Sequence, residues 1–114
     1  MRNKGITFSG KTVYLDEVQI DTDYPVSDAF RTDDKIIVLY DPDAYTEKFG
    51  QFPNLVAFNL KGEKVWTAEL PTTTSGERYW RIVSKEPLMA DSKGSFSCTI
   101  DVSNGRIVKK EFYK

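Results

Sequence analysis

The sequence predicts an all-β protein of eight or nine antiparallel strands in two similar sheets, with at most one short helical turn. Three observations carry that prediction. Residues 54–70, NLVAFNLKGEKVWTAEL, set two runs of branched and aromatic residues about a polar loop containing Gly62, which is a hairpin pattern. Residues 97–112, SCTIDVSNGRIVKKEF, repeat the pattern about Gly105, 43 residues further on. No segment of ordinary helical length places apolar residues at the three-to-four spacing of a buried helix face.

The elements follow in order. Residues 5–8 and 12–20 form the arms of a hairpin about Ser9-Gly10-Lys11, with Val13, Leu15, Val18 and Ile20 as apolar members. The alternation breaks at Asp16-Glu17, where a bulge or turn re-aims the chain. Residues 21–28, with Tyr24-Pro25, read as a loop or irregular edge. Residues 35–40, KIIVLY, are the most apolar run and predict a central strand buried on both faces. Asp41-Pro42-Asp43 ends it, because proline cannot donate to a ladder. Residues 44–53, AYTEKFGQFP, form a long connection with a helical turn over 44–49 closed by Gly50. Residues 71–76 are a loop. In residues 79–83 the alternation sends Trp80 and Ile82 into the core, while Tyr79 and Arg81 cover the outer face. Glu86-Pro87 breaks that strand, residues 88–90 make a short one and residues 91–94 a turn. Residues 96–102 and 106–113 close the chain as a hairpin.

A chain of 114 residues is one domain with its own core. Its 39% hydrophobic and 29% charged residues are ordinary for a globular protein. The net charge of −1 conceals an asymmetry: residues 1–57 carry six basic and ten acidic side chains, residues 58–114 ten and seven. Within residues 16–47 ten acids face only Arg31 and Lys35. Such asymmetry bears on partners and solubility. The basic start is followed by no apolar segment of a secretory signal, and no run is long enough for a helical membrane span. The expectation is a soluble, cytoplasmic protein that makes no membrane contact.

The two hairpins resemble the outer strands of blades in quinoprotein-like and other β-propellers, where an "ALD–G–VLW" cadence recurs. The resemblance implies a single domain with two blade-like repeats, at about residues 34–70 and 79–113, whose inner strands are residues 35–40 and 88–90. A closed ring needs four or more blades. A chain with two must form a half-propeller or open sandwich, dimerise, or offer its uncovered surface to a partner.

Catalytic signatures are scarce. The chain has no histidine and one cysteine, Cys98, which excludes an internal disulfide, a His-containing triad and a thiolate metal cluster. Cys98 lies mid-strand and reads as a core residue. Neither a GxGxxG nor a Walker sequence is present, so no phosphate-cradling loop is expected. The expectation is a protein that is not an enzyme and holds no cofactor and no metal. Arg78-Tyr79-Trp80-Arg81 and Lys109-Lys110 could suggest nucleic acid, but their residues fit a strand with a solvated face better, and direct nucleic-acid binding is not expected. Trp66 likewise reads as core.

Function is expected in the acidic region. Asp16, Glu17, Asp21, Asp23, Asp28, Asp33, Asp34, Asp41, Asp43 and Glu47 supply an anionic surface, and Tyr24, Tyr45, Phe49 and Phe52 supply anchors. Aromatic anchors with charge complementarity suit a fast, tight interface with a basic protein. A small β-rich protein of this charge, incomplete as a propeller, resembles the immunity proteins of bacterial contact-dependent growth inhibition systems. That resemblance implies a monomer that joins a nuclease toxin, an RNase in the first instance, and covers its active site. The alternative is a propeller-like scaffold or ligand-binding module that assembles as a homodimer.

Overall fold

The computed structural model describes residues 5–45 and 50–113, and among these it places eleven strands in three antiparallel sheets. The N-terminal sheet holds β1 (Ile6–Ser9), β2 (Thr12–Leu15) and β3 (Val18–Asp21). The middle sheet holds β4 (Val26–Thr32), β5 (Lys35–Tyr40), β6 (Leu55–Asn59) and β7 (Lys64–Thr67), and the C-terminal sheet β8 (Tyr79–Lys85), β9 (Leu88–Ser92), β10 (Phe96–Ile100) and β11 (Ile107–Phe112). Each sheet is a meander in which strands adjacent in sequence pair with one another. A 3-10 turn at Pro42–Ala44 follows β5.

The all-β class is that expected from the sequence, but eleven strands in three sheets stand where eight or nine in two were expected, and the middle sheet begins at Val26, ahead of the expected start near residue 34. Gly62 and Gly105 occupy the same place in each four-stranded sheet, the turn between third and fourth strands, with φ of 92° and 79°. Positive φ favours glycine because no Cβ meets the backbone. A short polar side chain shapes each turn: Asn59 Oδ1 accepts from Lys61 N at 2.9 Å, and Asp101 Oδ1 accepts from Ser103 N at 2.9 Å.

The N-terminal segment goes beyond the expected hairpin. Asp16, at φ 52°, lets the chain reverse within Asp16-Glu17, so the second arm divides into β2 and β3 and a third sheet results. Residues 21–28 are only partly loop, since β4 begins at Val26 and takes in Asp28 after a bulge. The helical turn expected over residues 44–49 falls mainly outside the described residues.

The sheets stack in chain order. On β5, Ile36, Val38 and Tyr40 pack with Val13, Leu15 and Ile20 of the N-terminal sheet, while Ile37 and Leu39 pack with Leu88, Ala90 and Cys98 of the C-terminal sheet. β6 divides likewise, Val56 and Phe58 to one side, Leu55 and Ala57 to the other. The central strand is therefore buried on both faces, as its unbroken apolar run requires. Cys98 and Trp66 are core residues too.

β8 reverses one expectation. Tyr79 is fully buried and Ile82 packs on the core, whereas Trp80 is exposed. Register shifts between Tyr79 and Arg81, and again between Ile82 and Ser84, insert extra residues and change the phase of the alternation.

Candidate functional site

The registers sort the connections to two ends of the stack. Asp33-Asp34 joins β4 to β5 beside Lys35, and the turn after β6 lies at that same end, since Asn59 pairs with Lys35. Gly62 in that turn approaches Val18 and Ile20, which brings the Asp16-Glu17 turn to this end as well. At the other end, Tyr40 N donates to Asn54 O and Asp41 N to Pro25 O, while Val26 N donates to Gly10 O, all at 2.8 Å. Hairpin geometry alone thus divides the acidic residues. Asp16, Glu17, Asp33 and Asp34 occupy one end, and Asp21, Asp23, Asp41 and Asp43 the other. Asp28 lies half-buried within β4. Glu47 and Phe49 lie outside the described residues.

At the Tyr40 end the expected anchors come together. The Tyr24 ring lies 4.8 Å from Phe52 and 5.5 Å from Tyr40, between centroids, and Tyr45 stacks on Phe52 at 5.0 Å and 14°. Tyr24 and Tyr45 are half-buried. Phe52, only 2% exposed, cannot itself be a contact: three aromatic neighbours and the core below make it the floor beneath the two tyrosines. Asp23 and Asp43 are exposed around them and Asp41 is half-buried. Asp41 caps the 3-10 turn, its Oδ1 accepting from Asp43 N at 2.9 Å. Burial and then the nearby Asp23 carboxylate push the Tyr40 phenol up to about 12, since both disfavour a second negative charge.

Sequence reasoning missed Arg78, which reaches this cluster. Its guanidinium carbon lies 5.9 Å from the Tyr45 ring centre and 5.8 Å from that of Phe52. Its Nη1 donates to Pro42 O, and its Nε to Gly76 O at 3.0 Å. A cation over aromatic faces, tied to Pro42 O and Gly76 O, joins the β5–β6 connection, which carries Tyr45 and Phe52, to the β7–β8 connection. The RYWR run showed a basic residue there, but nothing in it signalled this partner.

Two buried polar residues brace the same end. Asn54, fully buried, donates from Nδ2 to Tyr40 O at 3.1 Å and to Tyr79 O at 2.8 Å, and its Oδ1 accepts from Tyr79 N at 2.9 Å. Glu77, 1% exposed, accepts from Thr72 Oγ1 at 2.7 Å, Gly94 N at 2.9 Å and Arg78 N at 3.1 Å. A buried carboxylate is stable only when its lone pairs are met in this way. This end gathers two half-buried tyrosines over the buried Phe52 with carboxylates beside them, an arrangement chemically suited to cationic and hydrogen-bond-donating groups. Among the described residues, no three of the His, Cys, Asp and Glu type converge as a metal site.

Fold and site together define an antiparallel all-β protein of three stacked sheets with an aromatic–acidic end. The chain belongs to the family described as Domain of unknown function (DUF7957), whose model matches residues 3–112. No curated protein and no solved structure matches it. Among the described residues no helix is long and apolar enough to cross a membrane.

Proposed function

We propose that this chain is a partner-binding protein of the immunity type, acting in the cytoplasm and without catalysis of its own. It neutralises a cognate nuclease toxin by occluding the toxin's active site. The observation that supports this reading is the convergence of Tyr24 and Tyr45 over Phe52, with Asp23, Asp41 and Asp43 at the rim. Half-buried tyrosines lose little freedom on binding, and carboxylates beside them complement the Lys and Arg with which a nuclease holds phosphates.

The test is co-expression of the untagged chain with the tagged C-terminal region of a neighbouring toxin reading frame. Expected are a stoichiometric complex and protection of the cell. Neither complex nor protection would overturn the proposal, and so would an association rate that does not fall as salt is raised.

A further inference from the structure

β11 ends the C-terminal sheet, with β10 on one side and, among the described residues, no strand on the other; Glu69 Oε1 accepts from Ile107 N at 2.9 Å at the start of that outer edge, which is open from Val108 onward. Free edges are normally blunted by bulges or by charge. β8, the opposite edge, carries two register shifts. β11 has one, between Thr99 and Ile100, which leaves Lys109 to Phe112 in regular register with Thr99 to Phe96. Val108 and Phe112 are 63% and 65% exposed along it, the most exposed large hydrophobic residues among those described.

The hydrogen bonds set the direction in which the edge can pair. Tyr113 N donates to Ser95 O, so alternation turns the backbone groups of Glu111 and Lys109 towards β10 and those of Phe112 and Lys110 outward. Antiparallel pairing of β11 with itself about any of its residues sets outward groups opposite outward groups, so the side chains decide the register. Centred on Lys109 or Glu111, it would oppose two lysines or two glutamates at the exposed middle of the strand. Centred on Lys110, it sets Lys109 opposite Glu111 twice and Val108 opposite Phe112 twice. Lys110 itself, on the two-fold axis, is already engaged: its Nζ donates to Pro71 O at 2.8 Å and lies 5.0 Å from the centre of the Phe96 ring. Its charge is drawn back from the axis.

We propose that β11 is the interface for a second copy of this chain, paired antiparallel about Lys110 to give a continuous eight-stranded sheet. Complementary charge and matched apolar pairs select that occupant. The proposal replaces the monomer expected from the sequence. It involves none of Asp23, Tyr24, Asp41, Asp43 or Tyr45, so each copy keeps its aromatic–acidic end free.

Sedimentation equilibrium of the full chain over a concentration series, with register-specific variants, tests it. The wild-type chain is expected to dimerise. Lys109→Glu or Glu111→Lys alone should raise the dimer dissociation constant about tenfold, and the double exchange should restore it. Lys110→Cys should form an intermolecular disulfide on mild oxidation, because equivalent residues meet at the axis, while Lys109→Cys alone should not. Monomer at every concentration would overturn the proposal. A dimer that ignores the charge exchange, or crosslinks through position 109 instead of 110, would overturn it equally.

Discussion

The Asn54 carboxamide bonds both backbone groups of Tyr79, accepting from its N–H at 2.9 Å and donating to its C=O at 2.8 Å. One side chain thereby ties the start of β6, an inner strand of the middle sheet, to the first residue of the C-terminal sheet. It does so with full burial and without charge.

Replacing Asn54 by Ala strands an N–H and two carbonyls away from water. The expected cost is about 3 kcal/mol, because each orphaned buried group forfeits its desolvation. Urea unfolding should show the midpoint falling at unchanged slope. A loss under 1 kcal/mol would mean that water enters and replaces the amide.

Gly105 and Gly10 make a matched pair. Both have positive φ, 79° and 56°, but a Cβ on Gly105 would stand 2.7 Å from the Trp66 ring, whereas one on Gly10 meets nothing within 4 Å. Trp66 is held there by its Nε1 bond to Val102 O at 2.8 Å. Gly10→Ala should therefore cost about 1 kcal/mol, from backbone strain alone. Gly105→Ala should cost about 3 kcal/mol, because overpacking is added. Equal losses would show that the ring yields freely.

Alkali should loosen the fold through Tyr40. Its folded pKa of about 12 lies above the ordinary value of 10.0, and the same burial raises Tyr79 as well. Between those values the unfolded chain gives up protons that the folded chain retains. Stability is thus fully present below pH 10 and declines as pH rises towards 12. Ultraviolet titration should show tyrosines ionising late, coincident with loss of far-ultraviolet β signal. Ionisation of all six at ordinary pH while the fold persists would contradict the burial described.

At the proposed partner surface, Tyr24→Ala and Tyr45→Ala should each weaken binding of the proposed toxin partner by about 2 kcal/mol, mainly through faster dissociation. Asp23→Lys and Asp43→Lys should act on the association rate and remove much of its salt dependence. Asp33→Lys and Asp34→Lys, at the other end of the stack, should change little. Strong effects from those two and none from Asp23 would move the interface.

What the sequence disclosed follows from what strands make local. The apolar run of β5 announces burial on both faces, and the two Gly-centred turns announce the repeated sheets. Trp80 was illegible because alternation assumes an unbroken pleat, and two bulges in β8 break it. The gathering of Tyr24, Tyr45 and Arg78 was illegible for another reason. Those residues come from three connections whose proximity depends on register and stacking, which spacing along the chain does not encode. The same cause divided the acidic stretch, since successive hairpin turns deliver their residues to opposite ends.

The middle sheet has no face of its own towards water. Cutting the chain on either side of it would leave a bare wall of Ile, Val and Leu on at least one fragment, so neither outer sheet can be shed as a module. Lengthened turns or exchanged rim residues leave that wall covered, whereas removal of any one sheet bares it.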